Sequence, residues 1–190
     1  MSTAQTPVYV SLEFTPNPNT LKYSVNRQLL DKGAVNVVKK EDAAAKSPLA
    51  ERLMNIAGIA GVMIGKDFVT VTKTEEGDWD VVHKTTSDTI EDHLTRGLDV
   101  VHASALEGPA HGGGDSAIEQ RIKDILDAEI RPAVAMDGGD ITFDRYEAGV
   151  VYLVMQGSCS GCPSSTATLK DGIETRLKEA VPEILEVVAV

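Results

Sequence analysis

Two cysteines in 190 residues are too few for a disulfide framework, so this chain has to fold on its apolar cores alone. Long apolar runs are missing too. Nothing approaches the roughly 20 consecutive apolar residues that a membrane-spanning helix requires, and residues 1–10 have neither the basic start nor the apolar centre of a secretory signal. Basic charge is scarce: 18 Lys and Arg stand against 29 Asp and Glu, a formal net charge of −11. That balance favours solubility and repels phosphate backbones, whose binding is driven by Lys and Arg. The expectation is a soluble protein with no membrane and no nucleic-acid partner. No Arg-rich leader precedes Val8, so the expected location is a bacterial cytoplasm, with the mitochondrial matrix second.

What is present suits globular cores: a hydrophobic fraction of 42% and enough length for one domain or two small ones. The stretch Ala103-Ser104-Ala105-Leu106-Glu107-Gly108-Pro109-Ala110-His111-Gly112-Gly113-Gly114-Asp115-Ser116 carries a glycine triplet that neither helix nor strand tolerates well. It reads as a flexible linker over 104–115, separating a first domain, 1–103, from a second, 116–190.

In the first domain, residues 8–14 and 21–25 have strand character and flank the turn-forming run Thr15-Pro16-Asn17-Pro18-Asn19-Thr20, a hairpin pattern that needs no function beyond its geometry. Ser47 and Pro48 are set to start a helix with Leu49, Leu53 and Ile56 on one face, ended by Gly58 and Gly61. Residues 62–64 and 68–73 read as two further strands. Asp88 and Glu91 resemble a capping box opening a second helix, with Ile90, Leu94 and Leu98 as its stripe.

The second domain opens on a cleaner capping box, Ser116 and Glu119, before Ile118, Ile122, Ile125 and Leu126, and Pro132 marks the stop of that helix. Asp137-Gly138-Gly139-Asp140 reads as a turn more than as an acidic patch for a cation. Residues 141–146 and 150–156 are strand-like about Glu147-Ala148-Gly149, and Leu169, Ile173 and Leu177 imply a helix, with 187–190 a last strand. The fold class expected is α+β, two small domains, each a small sheet with helices on one face.

The chemistry rests on Cys159 and Cys162, in Gly157-Ser158-Cys159-Ser160-Gly161-Cys162-Pro163, between a strand and a helix. The nearby helix N-terminus is expected to favour thiolate, the form that binds metal or attacks a disulfide. An iron-sulfur cluster of the common types needs four thiolates, so two chains would have to share one. A closed zinc site meets the same shortage, since His83, His93, His102 and His111 show no ligand spacing to the cysteines. A dithiol-disulfide oxidoreductase with Cys159 as nucleophile and Cys162 as resolving thiol is the enzyme alternative, weakened by the apparent lack of a β-α-β context. Two merely buried small residues are the remaining option, and the Gly and Ser surroundings disfavour it.

Three stretches, Asp137-Gly138-Gly139-Asp140-Ile141, the cysteine segment running on through Ser164-Ser165, and Thr168-Leu169-Lys170, together resemble the C-terminal domain of NifU-like (Nfu-type) iron-sulfur proteins. The first domain resembles the Nfu N-terminal domain through Thr15-Pro16-Asn17-Pro18-Asn19-Thr20-Leu21-Lys22, Ser47-Pro48-Leu49-Ala50 and Gly65-Lys66-Asp67-Phe68-Val69-Thr70-Val71. The resemblance implies a carrier or scaffold, not an enzyme. It implies a 4Fe-4S cluster, with 2Fe-2S as second choice, bound by Cys159 and Cys162 of each of two chains in a homodimer formed on cluster binding. Its implied partners are an upstream cluster donor and apo iron-sulfur client proteins, with the first domain as a docking or positioning module.

Overall fold

The computed structural model describes residues 7–106, 116–160 and 163–190, with side chains from residue 166 onward in the last stretch. The chain forms two compact units. Most of the linker expected from the sequence, residues 107–115, lies outside the described residues, and its near end, Ala103–Ala105, forms a single 3-10 turn.

The first unit contains β1 (Val10–Phe14), β2 (Thr20–Val25), β3 (Val35–Val37), helices α1 (Lys40–Lys46) and α2 (Pro48–Met54), then β4 (Ile59–Ile64), β5 (Phe68–Lys73) and α3 (Trp79–Thr95). The strands make one antiparallel sheet in the order β1-β2-β5-β4-β3. Pairing Tyr23 with Val69 and Val69 with Ile64 puts all three on one face, where they join Leu49 and Leu53 of α2 and Ile90 of α3 in a common core. Each such buried aliphatic side chain contributes roughly 1.5–3 kcal/mol. Ser47 caps α2 as expected: its hydroxyl accepts from the Ala50 amide at 2.9 Å and donates to the Val100 carbonyl at 2.5 Å.

Two local expectations for this unit fail for physical reasons. Gly61 does not end a helix. It lies inside β4 beside a bulge between Ile59 and Gly61, a place where a strand tolerates glycine. Asp88 and Glu91 do not open a helix either, because α3 starts at Trp79, where the Asp78 side chain accepts from the Asp80 amide. The run Thr85-Thr86-Ser87 reads as a break on propensity, but Thr86 is fully buried on the core face and tertiary packing carries the helix through. Ile90 and Leu94 are buried; Leu98 lies past the end of α3 and is exposed.

The second unit comprises α4 (Ala117–Ile125), a π-helical segment (Leu126–Ile130), α5 (Arg131–Met136), β6 (Gly139–Glu147), β7 (Val150–Gly157), α6 (Pro163–Ala180) and β8 (Glu186–Ala189). The Ser116 and Glu119 capping box is present in both directions, at 3.2 and 2.7 Å. Pro132 does not stop the helical run. A proline inside an α-helix removes a donor and crowds the carbonyl four residues back; here the chain widens to a π turn, with the Arg131 amide reaching the Leu126 carbonyl. Pro132 thereby falls in the first turn of a new helix, where its missing N–H costs nothing.

Strands β6 and β7 pair antiparallel through a tight turn in which Ala148 and Gly149 have φ of 50° and 87°. β8 then pairs parallel to β7. Along β7, Val151, Leu153 and Met155 point inward and pack with Ile122, Leu126, Ile173, Leu177 and Val187. The connection β7-α6-β8 is therefore a β-α-β unit, the context the sequence reading took to be missing. The α+β class expected from the sequence is the one found.

Candidate functional site

The site is built where β6 begins and β7 ends. Their register sets Gly139 opposite Gly157, so the turn before β6 and the loop after β7 are neighbours. Gly138 and Gly157 have φ of 77° and 63°, which only glycine adopts without cost, and they turn the chain on the two sides. The two loops are laced together: the Ser158 amide donates to the Gly138 carbonyl at 3.2 Å, and the Ser158 hydroxyl donates to the Asp137 carbonyl at 2.5 Å.

Cys159 follows, 7% exposed and part of the domain core. Its carbonyl accepts from the Thr166 hydroxyl of α6 at 3.0 Å, and Ser160 closes the loop by donating its hydroxyl to the Gly157 carbonyl. Val134 and Ile173 belong to the same core cluster, with Leu169 packed against it. Cys162 lies outside the described residues, so only half of the expected pair can be placed.

The electrostatics differ from the expectation of a stabilised thiolate. Burial pushes the Cys159 thiol up from 9.0 to about 11, and the carboxylates of Asp137 and Asp140 push the same way against a hydrogen bond from Ser158. Removal from water outweighs the nearby helix end, whose effect amounts to fractions of a unit charge. At neutral pH the thiol of this state is protonated.

Asp140 is not in the turn that its sequence setting suggested. It is the second residue of β6, 5% exposed, and its carboxylate takes two hydrogen bonds from Arg131, Nε at 2.8 Å and Nη2 at 2.9 Å. The third arm of Arg131 reaches Asp127 at 2.7 Å. Sequence reasoning missed Arg131 altogether. The available signal was the i,i+4 spacing of Asp127 and Arg131, together with a second glycine and an aspartate beyond what the turn needed.

The described histidines, His83, His93 and His102, all belong to the first unit. His93 is fully buried in the first unit, with Nε2 2.9 Å from the Asp99 carbonyl; burial lowers its pKa, as does Arg52. His83 stacks on Tyr23, His102 is exposed, and His111 lies outside the described residues. Among the described residues no group of three or more His, Cys, Asp or Glu is placed to hold a metal ion, and no helix is long and apolar enough to cross a membrane.

The second unit is an α+β unit in which the sequence places a Cys-x-x-Cys segment between the strand and the helix of a β-α-β connection. The chain belongs to the Nfu/NifU family of iron-sulfur cluster scaffold proteins. Residues 10–97 match the family described as scaffold protein Nfu/NifU N terminal, and residues 122–188 match the NifU-like domain. The human NFU1 iron-sulfur cluster scaffold homolog, mitochondrial, is 39% identical over 178 residues, 93% of this chain and 70% of that protein. The Drosophila erecta protein of the same name is 40% identical over 178 residues, and the chain spans 63% of its length. A solution structure of a NifU-like protein from Saccharomyces cerevisiae covers 54% of this chain and 92% of its own, at 24% identity and a TM-score of 0.47.

Both named relatives are mitochondrial, which overturns the expectation of a bacterial cytoplasm. That expectation rested on the residues ahead of Val8, and the start of a sequence is a poor guide to where a protein resides.

Proposed function

We propose that this chain is a non-enzymatic iron-sulfur carrier. It holds a 4Fe-4S cluster between two copies of itself, through Cys159 and Cys162 of each, and passes it to apo-proteins in the compartment where its mitochondrial relatives reside. What carries the reading is membership of a family of iron-sulfur scaffolds together with a single Cys-x-x-Cys segment, which supplies two of the four thiolates such a cluster needs. The cluster is cargo. Each iron-bound sulfur has to give up its proton, so loading releases protons and strengthens as pH rises. A loop at the head of α6 suits stepwise exchange, in which a client's thiolates replace these ligands one at a time.

One observation favours a second reading, a dithiol-disulfide oxidoreductase: the cysteines sit in a β-α-β connection, as redox dithiols do. Against it stands the protonated, buried Cys159 thiol, since an attacking cysteine works best with a pKa near the ambient pH.

Anaerobic reconstitution of the full chain with iron and sulfide separates the two. The carrier gains a cluster whose type is read by Mössbauer spectroscopy and a doubled mass on sizing, and Cys159→Ala and Cys162→Ala each abolish both. Colourless monomer with disulfide reductase activity would replace this reading by the second.

A further inference from the structure

The turn before β6 needs one glycine and has two. Gly138 has a positive φ and is required by the backbone. Gly139 has no such φ, so nothing in its own conformation forbids a side chain. What forbids one is space: a Cβ built there would lie 2.2 Å from the Cys159 sulfur, with the Gln156 carbonyl and the Ser158 hydroxyl each at 3.2 Å. Sulfur and carbon in contact sit near 3.5 to 4 Å, so the sulfur occupies the place that any other residue at 139 would fill.

We infer that Gly139 is a positioning residue: its missing side chain is the niche that stores the Cys159 thiol inside the domain, and the thiol has to swing out of it before it can bind iron. The second clause rests on the carrier reading above; the first does not. In the stored position Cys159 is a member of the apolar core with Val134, Leu169 and Ile173, and at 7% exposure its sulfur is poorly placed to meet a second subunit. Turning the Cys159 side chain about its Cα–Cβ bond moves the sulfur without moving the loop, which Ser158, Ser160 and Thr166 hold through Oγ atoms independent of the thiol. The empty protein would thus keep one of its two ligands away from oxidants and stray metal, and would open it for loading.

The test follows Cys159 alone, in the full-length chain carrying Cys162→Ser. In the metal-free protein, native Cys159 should alkylate with iodoacetamide at least about a hundredfold more slowly than in urea, since access governs thiol reactivity. Gly139→Ala should raise the native rate about tenfold or more by expelling the sulfur. A native rate within about threefold of the rate in urea, or a Gly139→Ala protein with unchanged circular dichroism and an unchanged rate, overturns the niche.

Should Gly139→Ala fail to fold, the double variant Gly139→Ala with Cys159→Ala decides the matter. Removing the sulfur vacates the niche, so the double variant should regain the melting behaviour of Cys159→Ala, the signature of two residues coupled through one space. Equal damage in both backgrounds would mean that Gly139 serves the strand and not the thiol. Reconstitution of otherwise wild-type Gly139→Ala supplies the remaining readout: cluster uptake should be faster than in wild type, with the same spectrum, and slower uptake overturns the swing. Failure of the wild type itself to take up a cluster would remove the carrier reading and leave the alkylation result standing.

Discussion

Arg131 holds Asp140 by two parallel hydrogen bonds of 2.8 and 2.9 Å, which joins the start of α5 to the start of β6 across the turn that borders the cysteine loop. The pair is largely sheltered, with side-chain exposures of 25% and 8%, so it is not the solvent-screened kind that contributes little.

Asp140→Ala leaves a guanidinium partly buried without its main partner and should destabilise the second unit by about 3 kcal/mol. Urea unfolding followed by circular dichroism measures it. Asp140→Asn keeps one acceptor and should lose less. Equal stability of Asp140→Ala and wild type would show that the fork is ornamental.

The raised Cys159 thiol makes a prediction about pH. The folded chain keeps this proton up to about 11 whereas an ordinary thiol loses it near 9.0. Between those values the folded state binds more protons than the unfolded, so the stabilisation is complete below pH 9 and falls as pH rises toward 11. The alkylation rate of Cys159 in the Cys162→Ser protein should still climb about tenfold per pH unit above 9. A plateau at pH 9 would show an ordinary thiol.

Ser47 is buried and makes two hydrogen bonds, one as helix cap and one to the Val100 carbonyl. Ser47→Ala should cost the first unit about 2 kcal/mol, one part from the lost cap and one from a stranded carbonyl. Trp79 is the sole tryptophan and packs on that core, so its fluorescence reports the transition without interference from the second unit.

Ala148 adopts φ of 50°, which strains a residue with a Cβ by about 1 kcal/mol. Asn-Gly is the favoured pair for a turn of this type. Ala148→Asn should therefore raise the melting temperature of the second unit by about 4 °C. Gly149→Ala should lower it, because a residue with a Cβ is strained at φ of 87° and the added carbon also meets the Leu185 side chain at 2.8 Å.

What could be read from the residues follows what local chemistry dictates. The Ser116 box, the Ser47 cap and the alternation of Val151, Leu153 and Met155 are written in neighbouring side chains, and all appear in the fold. Features set by distant partners were invisible. Thr86 stays helical because of what it packs against, Pro132 because the chain before it widens, and β8 completes a β-α-β unit by pairing with a strand 36 residues earlier, as Val187 does with Val151. The cysteine position was legible, but its protonation was not, since burial is a property of the whole domain.

The π turn between α4 and α5 carries one more residue than a regular helix would hold, and each helical residue corresponds to about 100° of rotation. That surplus sets the phase of everything downstream. Deleting a single residue within Leu126–Ile130 would remove the wide turn that accommodates Pro132 and swing Arg131 about 100° around the helix axis, away from Asp140. The segment behaves as a timing element: the face that α5 offers to the cysteine loop is chosen several residues before the loop is reached, by the number of residues the wide turn holds.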